Sequence, residues 1–382
     1  MKKISLLLLS LLLILTGCLP SVEKKEEVDL SEQETGESGI IPSYQISDEY
    51  YQTLLPFKES ESRGLVVSNI GTKYDLAEFE TGLMRIATNV FDVNKYVFQE
   101  GQYLDSTTIR RWLNRQYSDE QLATNGVDPK NNIGLNPYDD GTNTVPKYLA
   151  HVLEHDYLVV DGDGKVTLGG MVIGLALNSV YYYQKEAYGA YYETKIARNE
   201  LEKQGKAIAE EVLKRLRSME GLEEIPITIA LFEQEEKTSI VPGNFISYAS
   251  ASEGSNSLGD WTEVDEKYYL FPSNEATAEK YDDSINFSNF KQDMEDYFPN
   301  YNGIVGTAFY KDDQLAKLKI NVTMQFYGKA ELVGYAQYAA GLLLSHFPDY
   351  IQIEVTIESV NGEEALIVKK PNNQEPFVYI YQ

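Results

Sequence analysis

The sequence predicts an α+β protein made of two tandem related domains, each a mostly antiparallel sheet with a long helix packed on one face. Three observations predict it. About 340 residues follow a polar N-terminal stretch, more than one core usually organises. The segment Ile351-Ile353-Val355-Ile357 alternates as a half-buried strand does. An order of short helix, β-hairpin, long helix and strand also occurs twice.

The chain opens on Lys2 and Lys3, an apolar core from Ile4 to Ile14, then Leu15-Thr16-Gly17-Cys18. Positive start, apolar core and small residues before the cleavage point are the three parts of a secretory signal. The core is far short of the roughly 20 residues a membrane span requires. Cys18 is the only cysteine in the chain, and its thiol has the nucleophilicity that a lipid-transfer reaction needs. Residues 1–17 therefore read as a lipoprotein signal peptide, with cleavage between Gly17 and Cys18 and lipidation of Cys18, as in bacterial lipoprotein precursors. Two acyl chains give stable attachment where one would not. The expected location is the outer face of the cell membrane, with lipoprotein-processing enzymes as obligatory partners.

Residues 18–42 hold seven acids (Glu23, Glu26, Glu27, Asp29, Glu32, Glu34, Glu37) and little apolar surface, which reads as a disordered acidic tether. Loss of the leader removes two lysines and no acids, moving the formal charge from -26 to -28. Such a body repels phosphate backbones, so nucleic acid is excluded as a partner. No disulfide is possible with one cysteine, and no cofactor is implied.

The first domain is expected over 43–238. Gly64 to Ile70 reads as a strand, and Asp75 with Glu78 as a capping box opening a helix to about Asn89. Ser106 caps a short helix through Trp112, and Asn125 to Asn143 is a loop dense in Asn, Gly, Asp and Pro. Pro146 suits the first turn of a helix reaching His155. A strand from Tyr157, the turn Asp161-Gly162-Asp163-Gly164 and a strand from Val172 to Tyr183 form a hairpin. A helix with Leu201, Ile208, Val212 and Leu216 on one face ends at Gly221, and Ile227 to Phe232 is the next strand. The boundary falls near Lys237 to Pro242.

The second domain, 239–382, repeats this order: a helix from Phe290 to Phe298, strands Ile304 to Tyr310 and Leu318 to Phe326 about the turn 311–314, a helix from Ala330 to His346 stopped by Pro348, and strand 351–357. Ala365 to Lys369 and Phe377 to Tyr381 complete its sheet.

His151-Val152-Leu153-Glu154-His155 matches the H-x-x-E-H string of inverted zinc peptidases. On a helix the two histidines stand one turn apart as zinc ligands, with Glu154 poised to activate water. No third ligand is marked, so His151, Glu154 and His155 are weak metal candidates, and the bland reading is an amphipathic helix. The turn 161–164 lacks the later ligands of a calcium loop. Tyrosine clusters at 181–183 and 191–192 suit either sheet faces or stacking on sugar rings. A carboxylate pair for glycoside cleavage could be selected only by distance in the fold. No phosphate-binding loop or G-x-S-x-G elbow is present, so no catalytic residue is assigned.

Gly170-Met171-Val172-Ile173-Gly174-Leu175-Ala176-Leu177-Asn178-Ser179-Val180-Tyr181-Tyr182 and Lys319-Ile320-Asn321-Val322-Thr323-Met324-Gln325-Phe326-Tyr327-Gly328, with the lipobox and the two α+β halves, resemble the CamS family, precursor lipoproteins of the sex pheromone cAM373. The resemblance implies a signal peptide that is processed to a short apolar peptide stimulating conjugative plasmid transfer. By position that segment is Leu11, Leu12, Leu13, Ile14, Leu15, Thr16 and Gly17. It implies a non-catalytic body. Two other readings of the body stand beside it: an extracellular binding module for a wall glycan, peptide or protein partner, and a zinc hydrolase using the H-x-x-E-H string.

Overall fold

The doubled element order reappears in the computed structural model, which describes residues 28–29, 39–298, 301–326 and 328–382. The signal peptide, Gly17, Cys18, the candidate peptide Leu11 to Gly17 and most of the tether lie outside the described residues. Within the tether region, β1 (Val28–Asp29) pairs antiparallel with β2 (Ile40–Ile41). Ile40 also exchanges backbone hydrogen bonds with Leu55 at 2.9 Å, so the end of the segment expected to be a disordered tether is tied to the first domain.

The first sheet contains β3 (Gln52–Thr53), β4 (Val97–Glu100), β5 (Leu149–Val160), β6 (Val166–Asn178), β9 (Ile227–Gln234), β10 (Asn244–Ala251) and β11 (Thr262–Glu263). A two-stranded ribbon of β7 (Val180–Gln184) and β8 (Tyr191–Lys195) stands apart from it. The second sheet contains β12 (Glu266–Phe271), β13 (Tyr301–Lys311), β14 (Gln314–Met324), β15 (Gln352–Ser359), β16 (Gly362–Lys369) and β17 (Phe377–Ile380). The spatial orders are β11-β10-β9-β6-β5-β4-β3 and β17-β16-β15-β14-β13-β12. In each, a hairpin (β5–β6, β13–β14) leads through a helix to a parallel neighbour (β9, β15), and an antiparallel strand (β10, β16) follows. The helix is the crossover that a parallel pair requires.

The helices are α1 (Arg63–Asn69), α2 (Lys73–Ala87), α3 (Ser106–Trp112), α4 (Asp119–Asn125), α5 (Arg198–Leu216), α6 (Asn274–Glu279), α7 (Tyr281–Tyr297) and α8 (Lys329–His346). In the first domain α5 covers one sheet face through Leu201, Val212 and Leu216 against Ile173, Leu175 and Ile229. The other face is covered as well, by Phe79, Leu83 and Ile86 of α2 against Val172, Ala176 and Phe232. Gly174 lets α2 approach, since a Cβ there would sit 2.8 Å from the Phe79 ring. The second sheet buries one face, under α7 and α8.

Four expectations need correction. Residues 64–70 form a helix, because Leu65, Val66 and Ile70 are buried while Val67 is exposed, a helical spacing that seven residues cannot separate from alternation. Residues 149–155 form a strand, paired with β6 along its length. Val172 to Tyr183 is not one strand, for the chain leaves the sheet after Asn178 and builds the separate ribbon. The first sheet also runs past the boundary expected at 238–239, and the change of sheet falls at Val264 and Asp265.

Both hairpin turns use left-handed backbone. Gly164 has φ 79°, and Asp312 and Asp313 have φ 51° and 62°, the two successive positive values of a tight two-residue turn. Gly221, expected past the end of α5, has φ 85°. The N-caps precede those expected, by three residues at α2 and one at α3: Thr72 accepts from Asp75 N–H, and Asp105 accepts from Thr108 N–H.

Candidate functional site

The strand assignment of 149–160 decides the H-x-x-E-H string. Side chains alternate across a strand, so His151, Leu153, His155 and Tyr157 point to the α2 side and Val152, Glu154 and Asp156 to the other. Contacts agree: His151 lies against Phe79 and His155 against Phe98, whereas Val152 packs in the α5 core. Four residues along a strand span about 13 Å, too far for two ligands of one zinc. Among the described residues no group of three His, Cys, Asp or Glu could hold a metal ion.

Burial holds both rings neutral, pulling His151 down to about 4 and His155 to about 3. Asn69 lies 3.3 Å from His151 Nδ1, while His155 Nδ1 is buried without a partner. Both line a cavity of about 230 Å³ with Val66, Met84, Phe98 and Leu153 on its walls and Arg63 and Glu100 at its edge.

Glu154 has a structural post on the opposite face. Its carboxylate accepts from the backbone N–H groups of Gln102 and Tyr103, each at 3.0 Å, and of Leu104 at 2.7 Å. Asp156 accepts from Gln102 N–H at 3.1 Å. Burial, then the Glu154 charge, pushes Asp156 well above the usual carboxylate range, and burial raises Glu154 despite its backbone donors. The fold thus selects a carboxylate pair, but one in mutual hydrogen-bond contact. Glycoside cleavage needs about 5 Å or more between such groups.

The tyrosines spread over several places. Tyr51 is buried and donates to Phe91 O at 2.6 Å. Tyr268 closes the contact between domains, where it donates to Glu78 Oε2 at 2.5 Å. On the β7–β8 ribbon, Tyr181 stacks on Tyr183 at 5.4 Å and Tyr183 on Tyr192 at 5.7 Å. Arg115 caps one end of that stack, 5.6 Å from the Tyr181 ring, and Lys185 the other, 4.7 Å from Tyr192. These stacked faces are therefore occupied by neighbours, and at the ribbon's end Tyr188, Tyr191 and Tyr192 are exposed, Tyr188 and Tyr191 most of all.

Beside the stack opens a cavity of about 460 Å³ lined by Arg111, Asn114, Arg115, Tyr117, Asn131, Asn132, Ile133, Gly134 and Lys147. Its lining contains three cations and no carboxylate. Arg115 is fixed, donating to Pro137 O, Val145 O and Tyr181 Oη at 3.0, 2.5 and 2.9 Å, with Asp139 at 3.7 Å. Lys147 is half-buried, and burial followed by the Arg115 charge lowers its pKa. Tyr181, the hydrogen-bond partner of Arg115, lines a second cavity of about 360 Å³ with Asn143, Tyr183, Gln184 and Glu186 on its walls. Sequence reading missed this site because its cations come from α3, the connection between α3 and α4, and the approach to β5, with no local run to mark it.

The contact between domains is a buried ion cluster. Arg85 of α2 donates to Glu266 of β12 at 3.0 and 2.7 Å and also to Glu78. It lies 4.8 Å over the ring of Phe309. Burial alone would lower the guanidinium pKa, but hydrogen bonding to Glu266 and the charges of Glu78 and Glu266 more than offset it.

The model of the CamS family, the CamS sex pheromone cAM373 precursor, matches residues 57–375. A crystal structure of a sex pheromone precursor from Lactobacillus salivarius subsp. salivarius UCC118 is similar at 34% identity and a TM-score of 0.80, over 89% of this chain and 98% of that one. The structure of the C-terminal domain of the sex pheromone staph-cAM373 precursor from Staphylococcus aureus is similar at 35% identity and a TM-score of 0.71, over 82% of this chain and 98% of that one. No curated protein matches the sequence.

Proposed function

Because the chain belongs to the CamS family of sex pheromone cAM373 precursors, we propose that it is made as a surface lipoprotein precursor whose two products part at Cys18. The observation that carries the reading is the family match over residues 57–375. Upstream of the cut, the leader supplies the apolar heptapeptide Leu11 to Gly17, which acts as a conjugation-stimulating signal. Downstream, Cys18 takes the lipid and the acidic tether holds the body away from the outer face of the membrane. No helix among the described residues is long and apolar enough to cross a membrane, which suits an anchor supplied by lipid. Synthetic Leu-Leu-Leu-Ile-Leu-Thr-Gly is expected to raise plasmid transfer from a responding donor strain. No response across a wide dose range removes the pheromone role and leaves family membership untouched.

The body acts as a non-catalytic binding module for an extracellular partner. The cation-lined cavity beside the tyrosine ribbon favours this reading, because it gathers unneutralised charge and amide groups at one place. A zinc hydrolase built on His151, Glu154 and His155 is disfavoured by the separation of the histidines along β5. Protein purified without chelator is expected to hold well under one zinc per chain; a stoichiometric ion lost on His151→Ala would restore the hydrolase reading.

A further inference from the structure

The 460 Å³ cavity is anomalous for this chain. Acids outnumber Lys and Arg 59 to 33, yet the lining carries Arg111, Arg115 and Lys147 with no Asp or Glu. Among the described residues the Lys147 ammonium has no hydrogen-bond or ion-pair partner, and the Arg111 guanidinium has one long contact, 3.4 Å to Asn131 Oδ1. A half-buried cation without a counter-charge is unfavourable unless something supplies one. A concave, low-dielectric wall of one sign also focuses the field on an incoming ion.

We propose that this cavity binds an acidic polyol or sugar chain whose repeating charge is a phosphodiester. The assignment rests on the binding-module reading above. It does not depend on the leader's role. A lone anion would satisfy one of the two unneutralised cations, whereas a chain with charges at each repeat meets both. The volume exceeds what a single phosphate fills and suits a repeat unit with its hydroxyls. Asn114, Asn131 and Asn132 offer amide groups that pair with those hydroxyls and with non-bridging oxygens. Arg115, held rigid by two carbonyls and Tyr181 and already facing Asp139 at 3.7 Å, forms a fixed wall of the cavity rather than a free charge. The net excess of acids over the whole chain, 59 to 33, disfavours non-specific binding of such a polymer.

The test uses the full-length lipoprotein in detergent micelles with isolated Gram-positive cell walls, intact or treated with aqueous hydrofluoric acid to cleave phosphodiesters. Calorimetry with soluble poly(glycerol phosphate) is the second readout. Binding to intact walls is expected to fall at least tenfold after acid treatment, and Arg111→Ala with Lys147→Met to weaken both interactions at least tenfold. Lys203→Ala, on the exposed side of α5, should change neither. Thermal melts check that the double variant folds; Arg111→Ala alone, at an exposed position, is the second variant. Equal binding to treated and intact walls overturns the phosphate assignment and leaves the module reading standing. Wild-type affinity in both variants overturns the site. No binding to either wall preparation removes the module reading as well.

Discussion

His151 and His155 show how one residue type changes meaning with its backbone. On a helix they would share a metal; on β5 they are two buried neutral rings that favour the folded state only while uncharged. The sign follows from linkage. Their folded pKa values, about 4 and about 3, lie below the ordinary 6.5, so between 6.5 and 4 the unfolded chain binds protons that the folded chain refuses. Stability should fall as pH drops through that window, by about 1.4 kcal/mol per pH unit for each histidine. Melting curves of wild type and His155→Gln between pH 7 and 4.5 check this: the variant's loss should be shallower, and parallel curves would contradict it. The Glu154–Asp156 pair has the opposite sign, because burial raises both carboxyls and the folded state retains protons the unfolded state releases. Stability attributable to the pair declines as pH rises above the usual carboxylate range. Asp156→Asn keeps a donor for Glu154 and abolishes the shared titration, so it should match or exceed wild-type stability at pH 8 in denaturant unfolding. The residue string was legible; its chemistry was not, since a five-residue motif carries no information on whether three residues make a turn or alternate.

At the scale of elements, the legible parts were those with strong local rules. Turn chemistry marked both hairpins, the apolar stripe marked α5, Pro348 marked the end of α8, and alternation marked β15. The misread parts have a common cause. Strand β5 is buried on both faces and spends its polar residues on internal posts, so its hydrophobic pattern is interrupted by His, Glu, His and Asp. Helix α1 is seven residues long, too short for its period to show. The second covering of the first sheet, by α2, depends on Gly174 opposite Phe79. Gly174→Ala should destabilise by about 1–3 kcal/mol, the usual range for overpacking a filled core, measured as a shift in urea midpoint. An unchanged midpoint would mean α2 can move away from the sheet at no cost.

At the scale of the molecule, two sheets of the same strand order are joined through Arg85, which stands between Glu78 of its own helix and Glu266 of the other domain. Arg85→Met leaves two carboxylates buried without a counter-charge. A loss of about 3–5 kcal/mol is expected, as for other broken buried pairs, and the two domains should then unfold in separate calorimetric transitions. A single undisturbed transition would show that the ion cluster does not couple them. Domain number and repeat order were readable from the sequence, whereas the place where one sheet gives way to the next was not. Strands β10 and β11 return to the first sheet after a loop that looks like a linker. At the same scale, the proposed cut at Cys18 divides the chain into a leader and an anchored body. Mass spectrometry of the N-terminal peptide from membrane-extracted protein tests it most directly. A peptide beginning at Cys18 with a diacylglyceryl group on its sulfur is predicted; an unmodified Cys18, or a body that begins at any other residue, would contradict it.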